Sequence, residues 1–162
     1  MEAKQLPPSA TSLVVECPRT SKFYLLPKIH KPGNLGRPTV SACACPTEKL
    51  ALYLNKVKAP FVRGLESYVK DTTHILNILD SFRFSNDGGQ RLVFTMDIKS
   101  VYTVIPNDEG LVSLEYFLDK REVKDPPTDT LVRMAESVLT LNTFEFNGEY
   151  YKQVGGLAMG SR

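Results

Sequence analysis

RLVFTMDIKSVYTVIP, residues 91–106, opens on a nearly continuous apolar run from Leu92 to Ile98, interrupted only by Thr95 and Asp97. Val93, Phe94 and Ile98 favour extended backbone, and an apolar run without alternation is the pattern of a strand covered on both faces. Residues 91–98 are therefore predicted as an interior strand. Asp97 is the unusual residue in it, because a carboxylate removed from water is costly unless it is paired or bound to metal. At the carboxyl end of a central strand, beside a loop, it is suited to hold Mg²⁺, which takes oxygen ligands. Phosphoryl transfer by two metal ions uses carboxylates in such positions. An Asp that shapes the turn after the strand would need no metal. Tyr102 follows five residues later. Its ring either packs beneath a bound sugar or anchors the turn to the core.

Upstream, FYLLP (23–27) and PTVSACA (38–44) read as two strands. The turn-rich loop between them, KIHKPGNLGRP (28–38), carries Lys28, His30, Lys31 and Arg37. A guanidinium fork beside two ammonium groups can grip a triphosphate, and it can equally be a solvated hairpin tip. PTEKLALYLNKVKAP (46–60) reads as a helix begun near Pro46 and stopped by Pro60, with Leu50, Leu54 and Val57 on one face. KDTTHILNILDSF (70–82) reads as a second, capped by Asp71 or Thr72, with Ile75, Ile78, Leu79 and Phe82 as its core stripe. SNDGGQ (85–90) is a turn.

Downstream, NDEGLVSLEYFLDKR (107–121) has Asn107 as its expected cap, acids in its first turn and bases in its last. KDPP (124–127) breaks it before TDTLVRMAESVLTLN (128–142), a further amphipathic helix. TFEFNGEYYKQV (143–154) is a hairpin, since Asn147-Gly148 supplies the two positive-φ residues of a type I′ turn. Gln153 and the small residues of VGGLAMGS (154–161) either let a nucleotide or base approach the backbone closely or form a loop that needs positive φ angles. They lack the G-x-x-x-x-G-K spacing of a phosphate-binding loop.

Composition narrows the class. The chain has 162 residues, 42% apolar and 23% charged, which is ordinary for a globular domain or a piece of one. No run approaches the about 18 apolar residues of a membrane span, and the first residues lack a secretory pattern. Three cysteines, Cys17, Cys43 and Cys45, suit no disulfide framework, and Cys-Ala-Cys is too tight for a zinc knuckle. An intracellular site, nuclear or cytoplasmic, is expected. The net charge of +2 hides an asymmetry. Residues 17–70 carry ten Lys or Arg against two Glu, whereas residues 71–162 carry nine against fourteen acids. A basic front half fits a polyanion partner, and a charged surface of no further purpose gives the same count.

The order of three blocks is more specific than any one of them. FYLLPKIHKPGNLGRPTVS, then LVFTMDIKSVYTVIP, then FEFNGEYYKQVGGLAMGS resembles the reverse transcriptases of Penelope-like retroelements, relatives of the telomerase catalytic subunit, over residues 19–162. The resemblance implies that Lys28 and Arg37 contact the incoming triphosphate. It implies that Asp97 is the first catalytic, metal-binding aspartate and that the Ile98 carbonyl is a further Mg²⁺ ligand. Tyr102 would be the gate that disfavours a 2′-hydroxyl. Gln153, with Ala158, Met159, Gly160 and Ser161, would pack against template and nucleotide. Arg162 stands where many members have proline, and the family's paired aspartates, expected after this block, do not follow in these residues.

The expected fold is α+β, a partial right-hand polymerase. An arm (1–20) and β-ribbon fingers (21–90) would precede an incomplete palm sheet packed on helices (91–162). The expected partners are an RNA template, a DNA primer and deoxynucleoside triphosphates, with no membrane. The expected activity is RNA-directed DNA synthesis with Mg²⁺, absent from the chain as it stands. The competing expectations are a noncatalytic nucleic-acid-binding remnant and a pseudogene product.

Overall fold

The computed structural model describes residues 11–29, 33, 36–83, 88, 90, 92–98 and 101–158. Their order is β1 (Ser21–Pro27), β2 (Gly36–Ser41), α1 (Glu48–Arg63), α2 (Thr72–Ser81), α3 (Val101–Val104), α4 (Asn107–Leu118), α5 (Thr128–Thr140), β3 (Thr143–Phe146) and β4 (Glu149–Lys152). The fold is α+β: one small mixed sheet beside helices.

The ribbon forms as expected. β1 and β2 run antiparallel, with Phe23 opposite Val40 and Leu26 opposite Arg37. The hairpin at 143–152 forms too. Asn147 (φ 53°) and Gly148 (φ 82°) both take positive φ, which is what a two-residue type I′ turn requires. The two hairpins then join, because β1 pairs in parallel with β3 through Ser21–Phe144 and Lys22–Glu145, giving the order β2-β1-β3-β4. The sheet thus draws strands from both sides of the boundary expected at residue 90.

The core lies among the helices. Leu54 of α1, Leu118 of α4, and Leu131 and Ala135 of α5 are buried together, with Val57, Leu111 and Val138 packed against them. Leu118 and Leu131 are sealed from water, and each such side chain contributes about 1.5–3 kcal/mol by burial. Arg121 closes the α4–α5 joint. Its Nε donates to the Leu118 carbonyl at 3.0 Å and its terminal nitrogen to the Pro126 carbonyl at 2.8 Å. It thereby serves the Leu118 carbonyl at the end of α4 and ties it to the segment before α5.

Four expectations need correction. Pro60 does not stop α1, which runs to Arg63. Proline withholds one donor, but the Lys56 carbonyl that would have received it belongs to an exposed residue, where water can serve it. Asn107 is the first residue of α4 and Pro106 holds the cap position, its φ of −64° and ψ of 138° being the extended backbone of a residue just outside the helix. Asp71 does cap α2, accepting the His74 amide at 2.9 Å. The α2 stripe, however, is not core: Ile78, Leu79 and Phe82 are exposed and no residue of that helix is buried. The largest correction concerns 91–98. Leu92–Ile98 form no strand and stand open to water, with Val93 at 82% and Met96 at 87% exposure. An interior strand exists only with a ladder on each side. The sheet among the described residues is completed by β1 to β4 without it.

Candidate nucleotide site

The two hairpins and the turn helix α3 position the residues singled out by sequence. Pro27 pairs with Gly36 and Leu26 with Arg37, so Lys28, one residue past β1, and Arg37 sit at the same end of the ribbon. Arg37 is exposed and Lys28 half-buried. This places two cations at one hairpin end, an arrangement suited to phosphate oxygens. His30 and Lys31 lie outside the described residues.

Tyr102 begins the second position of the one-turn helix α3 and is 46% exposed. Its backbone meets the segment after Gln153. The Leu157 amide donates to the Tyr102 carbonyl at 2.6 Å. Gly156 is buried there with φ 71°, and a Cβ on it would come within 2.6 Å of that carbonyl and 3.0 Å of Thr103 Cα. Only glycine fits both the left-handed backbone and the close approach.

Gln153 is held by the same loop. Its amide donates to the Asn142 carbonyl at 3.0 Å, and Asn142 Nδ2 donates to Gln153 Oε1 at 2.7 Å. Its Nε2 donates to the Gly155 carbonyl at 2.9 Å and to the Gly156 carbonyl at 3.0 Å. The side chain therefore braces the glycine turn. Sequence reasoning did not single out Asn142, and it gave the need for positive φ to the glycine segment as a whole without marking Gly156. The paired glycines directly after a hairpin were the available signal for the second; nothing local marked the first. Ala158 is described, whereas Met159, Gly160 and Ser161 lie outside the described residues.

Asp97 and Ile98 sit in the exposed irregular segment, Ile98 at 70% exposure. A carboxylate and a carbonyl are hard oxygen donors of the kind Mg²⁺ takes. Their number does not fit a two-ion site. Among the described residues no group of three or more His, Cys, Asp or Glu side chains is placed to hold a metal. The structure thus brings Tyr102 to the Gln153 loop, sets Lys28 and Arg37 at one end of the ribbon, and leaves Asp97 in the exposed irregular segment.

No helix among the described residues is long and apolar enough to cross a membrane. Comparison with protein-family models, curated proteins and solved structures finds no match for this chain.

Proposed function

We propose that this chain is the fingers and first palm segment of a polymerase domain. More particularly, we read it as a reverse transcriptase of the Penelope-like kind, built for RNA-templated DNA synthesis from deoxynucleoside triphosphates. The observation that carries the reading is the contact between two of its three sequence blocks. Tyr102 and Gly156 lie more than fifty positions apart, and they meet through the 2.6 Å hydrogen bond from Leu157. A sugar gate and a nucleotide-packing loop must be neighbours for the pocket to exist. Support also comes from the paired cations at the ribbon end.

In this reading Arg37 and Lys28 bind the triphosphate, and the guanidinium is the better match to phosphate geometry. Tyr102 excludes a 2′-hydroxyl by filling the space beside the sugar. Gln153 and Gly156 fix where Tyr102 stands. The growing strand's 3′-hydroxyl attacks the α-phosphate, forming a new P–O bond as pyrophosphate leaves. Mg²⁺, when bound, would neutralise charge on the phosphates. Asp97 would be one carboxylate ligand and the Ile98 carbonyl a further oxygen donor only beside further carboxylates of a longer chain.

The test uses a longer chain that carries paired downstream aspartates, assayed for primer extension on poly(rA)–oligo(dT). Wild type should extend the primer, Asp97→Asn should abolish extension, and Tyr102→Ala should admit ribonucleotides. Extension by Asp97→Asn at the wild-type rate removes Asp97 from the chemistry. An unchanged deoxy-to-ribo preference in Tyr102→Ala removes the gate.

A further inference from the structure

Where β1 begins, between the amino end of α1 and the α5–β3 joint, the chain walls a cavity of about 260 Å³. Arg19, Thr20 and Ser21 line it from the start of β1, Thr47 from the cap position of α1, and Asn142 and Thr143 from the joint. Ser21 is only 3% exposed and Thr47 only 9%. Among the described residues the Ser21 hydroxyl has no hydrogen-bond partner. Thr47 does not cap α1 through its side chain, and its Oγ1 meets only the Cys45 thiol, a weak partner, at 3.5 Å. Buried hydroxyls left in this state are costly and call for an explanation. The Arg19 side chain is exposed, with no hydrogen bond or ion pair among the described residues. No Asp or Glu lines the cavity. Glu48 stands next to Thr47, with one carboxylate oxygen accepting the Ala44 amide at 2.8 Å, and its charge opposes an anion here.

We propose that this cavity binds a phosphate group carried by a small molecule, inorganic phosphate or a phosphomonoester, with Arg19 on its charge and the Ser21 and Thr47 hydroxyls donating to its oxygens. A guanidinium and two hydroxyls without acceptors match a ligand that only accepts hydrogen bonds and is negatively charged. The amino end of α1, at Thr47, adds positive potential. A metal cation finds no carboxylate on these walls. A nucleic-acid backbone offers diesters flanked on both sides, which cannot descend to a hydroxyl as deep as that of Ser21, whereas a terminal phosphate can. The site uses none of Lys28, Arg37, Asp97, Tyr102 or Gln153. Ser21 opens β1 and Lys28 follows its far end, about 20 Å away at the rise of a strand. The site therefore goes beyond the polymerase reading and stands or falls separately from it.

The experiment adds inorganic phosphate to the isotope-labelled 162-residue chain at constant ionic strength and follows its amide resonances. The Ser21 and Thr47 amides should shift and saturate. Methyl phosphate, a monoester, should reproduce the shifts, and dimethyl phosphate, a diester, should not. Arg19→Gln and Ser21→Ala should each weaken phosphate about 10- to 150-fold, the range for one hydrogen bond to a charged group. Ser21→Ala should do so with an unchanged urea midpoint, because its hydroxyl holds nothing in the unliganded chain. Glu48→Gln, which keeps an acceptor for the Ala44 amide, should bind phosphate more tightly than wild type, an outcome that misfolding cannot mimic. Absence of saturable shifts in the wild type overturns the proposal. So do wild-type affinity in both Arg19→Gln and Ser21→Ala, equal binding of dimethyl phosphate, or equal competition by an oligonucleotide without terminal phosphates. Loss of primer extension in the longer chain with phosphate binding intact would count against the polymerase reading alone.

Discussion

At the scale of single residues, Gly156 is the position where the structure tolerates least. Its positive φ and its approach to the Tyr102 carbonyl exclude any side chain. Gly156→Ala should cost about 1–3 kcal/mol, the range for a non-glycine residue forced into a sparsely populated conformation. The Leu157 amide, which donates to Tyr102, should lose hydrogen-exchange protection. A urea midpoint and a Leu157 exchange rate equal to wild type would show that the loop does not depend on this glycine. Gln153→Ala removes hydrogen bonds to Asn142, Gly155 and Gly156 and should loosen the same amide. A glutamine beside glycines is legible as a candidate, but which groups its amide reaches depends on where α5 ends and β3 begins.

At the scale of elements, burial separates helices that look alike in sequence. α2 and α5 both show apolar periodicity, yet only α5 packs on α1 and α4. Leu131→Ala should therefore destabilise the chain by about 2–5 kcal/mol, the cost of truncating a sealed leucine. Leu79→Ala, at a position 60% exposed, should stay within about 0.5 kcal/mol. Chemical denaturation of both variants checks this, and equal losses would mean that α2 is buried in solution. The hairpins were readable because their determinants are local: a Pro-bounded apolar run, a glycine-rich loop and Asn147-Gly148. The parallel pairing of β1 with β3 was not readable. It joins segments more than a hundred residues apart, and no local pattern records which strand will lie beside which.

At the scale of the whole molecule, the described apolar surface exceeds what the core encloses. Leu92–Ile98 and α2 present Val93, Phe94, Met96, Leu76 and Leu79 to water. Contiguous exposed apolar surface promotes association. The chain should therefore self-associate as its concentration rises, and Val93→Lys with Met96→Lys should reduce that without lowering the unfolding midpoint. Sedimentation velocity and denaturation of the double variant decide it; a large loss of stability would show that 92–98 is covered. A second expectation belongs to this scale. Two-ion phosphoryl transfer needs carboxylates from more than one segment a few ångströms apart, and among the described residues Asp97 has no such company. The 162-residue chain should not extend a primer. Metal-dependent extension that disappears with Asp97→Asn would refute this.

The sequence by itself determined the local pieces: the ribbon, the type I′ hairpin, the helix begun at Asp71 or Thr72, the α4 and α5 segments, and the α+β class. Each follows from caps, turn residues and short-range periodicity, which act within a few residues of where they are written. Tertiary structure decided the rest. It joined the hairpins into one sheet, buried α5 while leaving α2 open, brought the Gly156 loop onto the Tyr102 backbone, and left Leu92–Ile98 without a ladder. The physical reason is that an apolar run states only a need for burial and backbone pairing. Whether the need is met depends on surfaces supplied by distant segments, and those surfaces exist only once the chain has folded.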